Sequence, residues 1–408
     1  MILSVSWRNI WRNRLRSGVV LTAIALGVFA GIFMMAFTRG MVNQRLESAI
    51  MTEISHIQVH KPEFADVNDI EYYFPESEEM MHEVSGIEGV TAVSRRIIIN
   101  SMINSAEKGT GVRLVGIEPD MEGKVTNLST KIIEGNYLEP LKRGRPILIG
   151  KKLSETLDVS VGSKVVTGTL DINGQPLYYQ FRVAGIFKTV STPFDEGTAF
   201  VRYEDLREIT GMPEGSAHEL AILLDNREIS NVVQNDIKGI LPLMDVKQWS
   251  EIMPELRYLT EQMDYYMYIF IVIILLALGF GIVNTMLMVV LERIKELGML
   301  MAVGMNKRRI FSMILLETVF LCISGGAVGI VLGSVVSIYF GDRGLDLSSL
   351  YGEGLSQIGY DSVIFTVLTP DMIINVLILV IFTGMVASIY PALKALKLNP
   401  AEAIRTDL

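Results

Sequence analysis

The stretch Glu292–Arg309, ERIKELGMLMAVGMNKRR, is short, charged and helix-prone, and it is wedged between two long apolar runs. Its neighbours decide the fold. Residues 268–291 before it carry no charge, and residues 310–340 after it carry only Glu317 before the span's last turns. Each is long enough to cross the roughly 30 Å hydrocarbon core as a helix. Two further runs of that kind lie at 18–38 and 372–391, so the sequence predicts four transmembrane helices. A charged joint between two spans is a place where a soluble partner can push or pull on a membrane protein.

Charge bias orients the spans. Arg8, Arg12, Arg14 and Arg16 precede the first; Arg293, Lys295, Lys307, Arg308 and Arg309 lie between the second and third; Lys394, Lys397 and Arg405 follow the fourth. Segments 1–17, 292–309 and 392–408 are therefore expected in the cytosol. The basic start followed by an apolar run resembles a signal sequence, but no A-x-A-like cleavage site follows it, which predicts an uncleaved anchor. The loop 341–371 has Arg343 against five acids, and it is placed outside. Residues 39–267 hold 23 Lys/Arg against 35 Asp/Glu, a net charge of −12 that accounts for the acidity of the whole chain. That large segment is expected outside as well.

An acidic outer domain argues against nucleic acid, whose phosphates need a positive field. Cys322 is the only cysteine, so no disulfide can form within the chain. The outer segment alternates β-branched runs (HIQVH, GVTAVSRRIIIN, VRLVGI, RPILIG, VVTGTL, FRVAGIF, TAFVRY, ELAILL) with helical patterns (SEEMMHEVSGI, KKLSETL, YEDLREIT), which predicts an α+β domain with room for two subdomains. Apolar residues at helical spacing extend the spans outward at both its borders. A single helix from Glu255 to Glu296 would be about 63 Å long at 1.5 Å per residue, with separate helix ends packed on the domain as the alternative.

Chemistry is sparse. No G-x-x-x-x-G-K-[ST] phosphate loop occurs, so no nucleotide site, catalytic residue or cofactor is expected in this chain. His56 and His60 share one face of a strand, but zinc needs two further ligands, so a solvated strand face is expected and no metal. Gly325, Gly329 and Gly333 recur every fourth residue in the third span, as Gly27 and Gly31 do in the first, which predicts close helix contacts, read here as dimer packing. Glu317 lies about two turns inside the third span, within reach of Arg308 or Lys307.

The segment LERIKELGMLMAVGMNKRRIFSMILLETVFLCISGGAVGIVLG resembles the signature of the FtsX/MacB-like permeases of ABC transporters: a charged E-I-[GA]-[IL]-L-[RK] loop, a basic cluster, then Leu-Leu-Glu and a glycine-rich span. The tail IYPALKALKLNPAEAIR and the opening SWRNIWRNRLRSGVVLTAIALGV resemble the same family's ends. VRLVGIEPDMEGKV, KIIEGNYL and ILIGKKLSETLDVSVGSKV are similar to its MacB-type extracytoplasmic domain. The resemblance implies four transmembrane helices with a large α+β extracytoplasmic domain inserted between helices 1 and 2. It implies that the loop after the second span docks on a separate cytosolic ABC ATPase, which would bind the ATP and magnesium, with Glu292, Arg293, Ile294, Lys295, Glu296, Leu297, Gly298 and Met301 at that surface. Ile294, Leu297 and Met301 would form the apolar centre of the contact. The layout is most similar to the lipoprotein-releasing permeases. That implies extraction of lipoproteins from the inner membrane, with MacB-type efflux or mechanical signalling as the alternatives. A second permease, identical or paralogous, is implied too, with membrane lipid around it and a lipoprotein carrier or membrane-fusion protein outside. The carrier-recruiting subunit of that system bears a long hairpin where this chain has only DINGQPL, with Asn173-Gly174 as a tight-turn signal.

Overall fold

The computed structural model describes residues 2–12, 14–352 and 354–397, so the closing motif around Pro400, Glu402 and Arg405 lies outside the described residues. Two compact units emerge. One comprises residues 1–42, 260–346 and 363–408, and the other residues 43–259 with 347–362.

The first unit is helical because a backbone in hydrocarbon must satisfy its own hydrogen bonds. Helices long and apolar enough to span run over Ser17–Ile54, Pro254–Glu292, Lys307–Arg343 and Pro370–Leu396. A short helix, Ile2–Arg12, precedes them. The second span's helix ends at Glu292 rather than continuing to Glu296, because Arg293 leaves helical geometry (φ −97°, ψ 15°) and a new helix, Ile294–Ala302, starts there. Gly304, at φ +97°, turns the chain back, a conformation that glycine adopts without the clash of a Cβ. Asn306 then caps the third span by accepting the Arg308 N–H at 3.1 Å.

The glycine stripe packs inside the chain. A methyl group at Gly325 would lie 2.9 Å from the Ile24 Cβ, one at Gly329 2.6 Å from the Ala25 carbonyl oxygen, and one at Gly333 3.1 Å from the Ile32 Cβ. Gly27 faces Leu278 of the second span, and nothing lies within 4 Å of a Cβ at Gly31. Gly325, Gly329 and Gly333, expected at a dimer contact, face the first span of the same chain. Their missing side chains let span 1 lie against span 3 of the same molecule.

The second unit holds a ten-stranded sheet: β1 (Ile57–His60), β2 (Val90–Asn104), β3 (Gly109–Ile117), β4 (Ile132–Gly135), β5 (Arg145–Gly150), β6 (Lys164–Leu170), β7 (Pro176–Phe187), β8 (Thr198–Arg202), β9 (Glu219–Leu224) and β10 (Asp245–Gln248). All eight β-branched runs read from the sequence are strands. Two more, β4 and β10, were not among them. The pairings β2–β3, β3–β8, β8–β5, β5–β7, β7–β6 and β6–β2 return to their starting strand. They close a six-stranded barrel filled by Ile97, Ile99, Val112, Ile147, Phe181 and Val201. The first half of β2 instead pairs with β9, which continues through β1 to β10. Helices Ser77–Ser85 and Ser230–Ile240 bury Met80, Val84, Val233 and Ile237 against that second sheet. β2 thus belongs to both halves. The β6–β7 hairpin closes over residues 171–175, where the Asp171 carboxylate accepts the N–H groups of Asn173 (2.9 Å) and Gln175 (2.8 Å) and Gly174 sits at φ +74°.

Candidate coupling site

The helix Ile294–Ala302 has two faces. Leu297 and Gly298 are buried, with Ile294 and Met301 half-buried, and Leu297, Leu300, Met301 and Met305 pack into the core of the helical unit. Lys295, Met299, Ala302 and Val303 are exposed on the other side, Met299 by 53% and Val303 by 90%. Of Ile294, Leu297 and Met301, expected as the apolar centre of a docking surface, Leu297 and Met301 pack into the core of the helical unit, because an apolar stripe beside four apolar helices finds its cheapest partner there.

The helix start is held by ions. Arg293 donates from Nε to Glu296 (3.0 Å) and from Nη1 to both oxygens of Glu317 (3.1 and 3.3 Å). The Glu317 Oε1 also accepts Nδ2 of Asn9 at 2.6 Å, and Glu296 accepts Nη2 of Arg12 at 2.6 Å. Glu317 therefore pairs with Arg293 rather than with Lys307 or Arg308. Those two occupy the exposed first turn of its own helix, while Arg293 approaches from the preceding joint. The N-terminal helix is further fixed by Ser6 Oγ donating to the Met313 carbonyl at 3.2 Å and by Trp7 meeting Phe320 edge-on at 5.6 Å. Burial opposes the Arg293 charge, but Glu317 and Glu296 outweigh it and raise its pKa. The Glu296 carboxyl is held below its ordinary value: burial works against that, but the hydrogen bonds and charges of Arg12 and Arg293 prevail. Asn9 was not singled out in the sequence, and Arg12 only for its charge, since nothing local links residue 9 to residue 317.

In the outer unit the histidines are interior groups, not the solvated strand face expected of His56 and His60. His56 Nδ1 accepts the Leu224 N–H at 3.1 Å, and His60 Nε2 lies 3.0 Å from Glu219. The sheet turns this face inward, against Phe64, whose ring stacks between His60 and His218. Arg96, only 5% exposed, bonds Glu122 and Glu219 and bridges their buried carboxylates. Glu219 is drawn down to about 2: burial alone would raise it, but the charge of Arg96 and the hydrogen bond from His60 prevail. Among the described residues no three His, Cys, Asp or Glu side chains converge as a metal-holding group.

Comparison with known proteins follows these two units. The FtsX-like permease C-terminal family matches residues 268–400, and the MacB-like periplasmic core domain family matches residues 17–240. The chain belongs to the FtsX/MacB family of ABC transporter permeases. This FtsX/MacB permease is 23% identical to the lipoprotein-releasing system transmembrane protein LolC of Neisseria meningitidis, over 95% of this chain and 94% of that one. It is 26% identical to the uncharacterized ABC transporter permease YknZ of Bacillus subtilis, over 98% and 97%. Against the macrolide export ATP-binding/permease protein MacB of Bdellovibrio bacteriovorus it is 24% identical over 99% of this chain, and spans 61% of that longer protein. Among solved structures, the extracellular domain of YknZ matches 47% of this chain and 99% of its own, with 17% identity and a TM-score of 0.33.

Proposed function

We propose that this permease converts ATP hydrolysis by a separate cytosolic ATPase into motion of its outer unit, and that its cargo is lipoprotein released from the inner membrane. The observation that carries the first part is the exposed stripe Lys295, Met299, Ala302 and Val303. These positions fall at i, i+4, i+7 and i+8 on one side of a short helix whose other side is anchored. An outward stripe that is apolar at Met299, Ala302 and Val303, on a helix already packed on its inner face, is what a protein partner needs. The basic flank, Lys307, Arg308 and Arg309, suits a cytosolic orientation. The lipoprotein reading is supported by the LolC relatives, of which the Neisseria meningitidis protein is matched almost end to end. Macrolide efflux with a membrane-fusion protein is the second reading, supported by the MacB relatives.

The test is capture from native membranes by the full chain, with partners identified by mass spectrometry. An ABC ATPase should accompany the natural chain and be lost with Met299→Asp/Val303→Asp, while exposed Leu350→Asp keeps it. Retention of the ATPase by the double variant would remove the stripe as the docking face. Lipidated proteins among the captured cargo favour release; a membrane-fusion protein favours efflux.

A further inference from the structure

We propose that Glu317 is a positioning residue for coupling: a buried carboxylate that fixes the angle of the Ile294–Ala302 helix against both the N-terminal helix and the third span. The inference rests on the coupling role given to that helix. Among the described residues Glu317 is the one buried carboxylate of the helical unit, at 4% exposure. It binds Asn9 of the N-terminal helix and Arg293, the residue at which the second span ends and the coupling helix begins. Arg293 and Arg12 then share Glu296, one turn into the coupling helix. Three chain segments far apart in sequence meet on one carboxylate.

Stability alone does not account for such an arrangement. A buried ion pair recovers little more than its own desolvation, and apolar groups of similar volume often replace it at no loss or with a gain in stability. What an apolar patch lacks is direction. Greasy contacts tolerate sliding and rotation, whereas the guanidinium and carboxylate are planar forks that hold hydrogen bonds over a narrow range of angles. The joint at Arg293 keeps two backbone hydrogen bonds, its N–H to the Val289 carbonyl at 3.2 Å and the Leu297 N–H to the Arg293 carbonyl at 2.9 Å. Its backbone nevertheless leaves helical angles (φ −97°, ψ 15°), and the side-chain bonds add the direction that those two leave open. A coupling helix that must pass on the movement of a docked ATPase needs that angle fixed.

The experiment is hydrogen exchange on the full chain in phosphatidylcholine/phosphatidylglycerol nanodiscs with no ATPase present. Glu317→Gln should speed exchange at the amides of Leu297–Ala302 at least tenfold and leave those of residues 320–335 within twofold. The triple variant Asn9→Leu/Arg293→Met/Glu317→Met replaces the polar cluster by apolar volume. It should unfold at or above the natural temperature and still show the faster exchange, an outcome that a merely structural ion pair does not give. Exchange as slow as in the natural chain in either variant overturns the proposal, and so does failure of the triple variant to fold, because the cluster would then be needed for stability. Since the reading is taken without the ATPase, its failure leaves the docking face at Met299 and Val303 standing, and loss of that face leaves this result intact.

Discussion

Mild acid should loosen the outer unit through two buried histidines. His218 Nδ1 accepts the Ile98 N–H at 3.1 Å while Nε2 lies 3.0 Å from the Ile70 carbonyl oxygen, so the neutral ring is satisfied on both sides. A second proton would land on Nδ1 and displace the Ile98 N–H. His56 Nδ1 is engaged in the same way by Leu224. Burial first, with the charge of Arg227 added for His56, lowers each from 6.5 to about 4. Because the folded values lie below the unfolded one, the unfolded chain binds more protons between pH 6.5 and 4, and stability falls as pH drops through that window. At about 1.4 kcal/mol per pH unit per group, the pair withdraws about 4 kcal/mol at pH 5. Asp195 acts in the opposite sense. Burial pushes it up to about 6, so it returns about 1.4 kcal/mol at pH 5. The net loss of about 3 kcal/mol corresponds to about 6–12 °C in a unit of this size. Trp249, whose N–H donates to the His56 carbonyl at 2.8 Å, reports the transition. In a Trp7→Phe/Trp11→Phe background its fluorescence on heating should give a midpoint lower at pH 5 than at pH 7 by that amount. His218→Asn should shrink the loss by about 2 kcal/mol, one histidine's share. Equal midpoints at the two pH values, or an undiminished shift in His218→Asn, would refute the assignment.

Three further outcomes follow from the packing. Gly329→Leu places carbon where the Ala25 carbonyl and Val28 now lie and should cost about 1–3 kcal/mol or more of overpacking; thermal aggregation in detergent should begin earlier whatever the oligomeric state, and an unaltered profile would mean that the spans separate freely. Arg96→Met removes the cation that Glu122 and Glu219 share, a loss of about 3–5 kcal/mol that denaturant unfolding of the full chain should register. Two glycines inserted after Leu297 cost about 1 kcal/mol each in helix propensity. They should abolish cargo release in reconstituted vesicles while membrane insertion persists, and release at the natural rate would end the mechanical reading.

Much of the fold is legible because each medium imposes its own period. Hydrocarbon demands long uncharged runs, and those at 268–291 and 372–391 fall within helices. β-branched alternation marks eight strands, but β10, DVKQ, is a polar edge strand that only its pairing with β1 reveals. The interior ions were illegible for a related reason. No local pattern marks Arg96, Glu122 and Glu219 as interior; the two sheet halves and the helix Pro119–Val125 close over them. Glycine spacing announces that a backbone comes near, but not whose: Gly329 meets Ala25 of the same chain. The helix Ile294–Ala302 was expected to turn Leu297 outward, but burial of Leu297 depends on helices that its own nine residues do not encode.

The strand β2 has a genetic consequence. Its residues Val90–Arg96 serve one sheet and Arg96–Asn104 the barrel, so the two halves share fifteen residues of backbone and no linker joins them. Neither half can be excised, exchanged with a relative's or duplicated alone without leaving the other short of a stave. Recombination within this unit is viable only where both halves travel together, and tolerated variation in length is confined to surface tips such as residues 171–175.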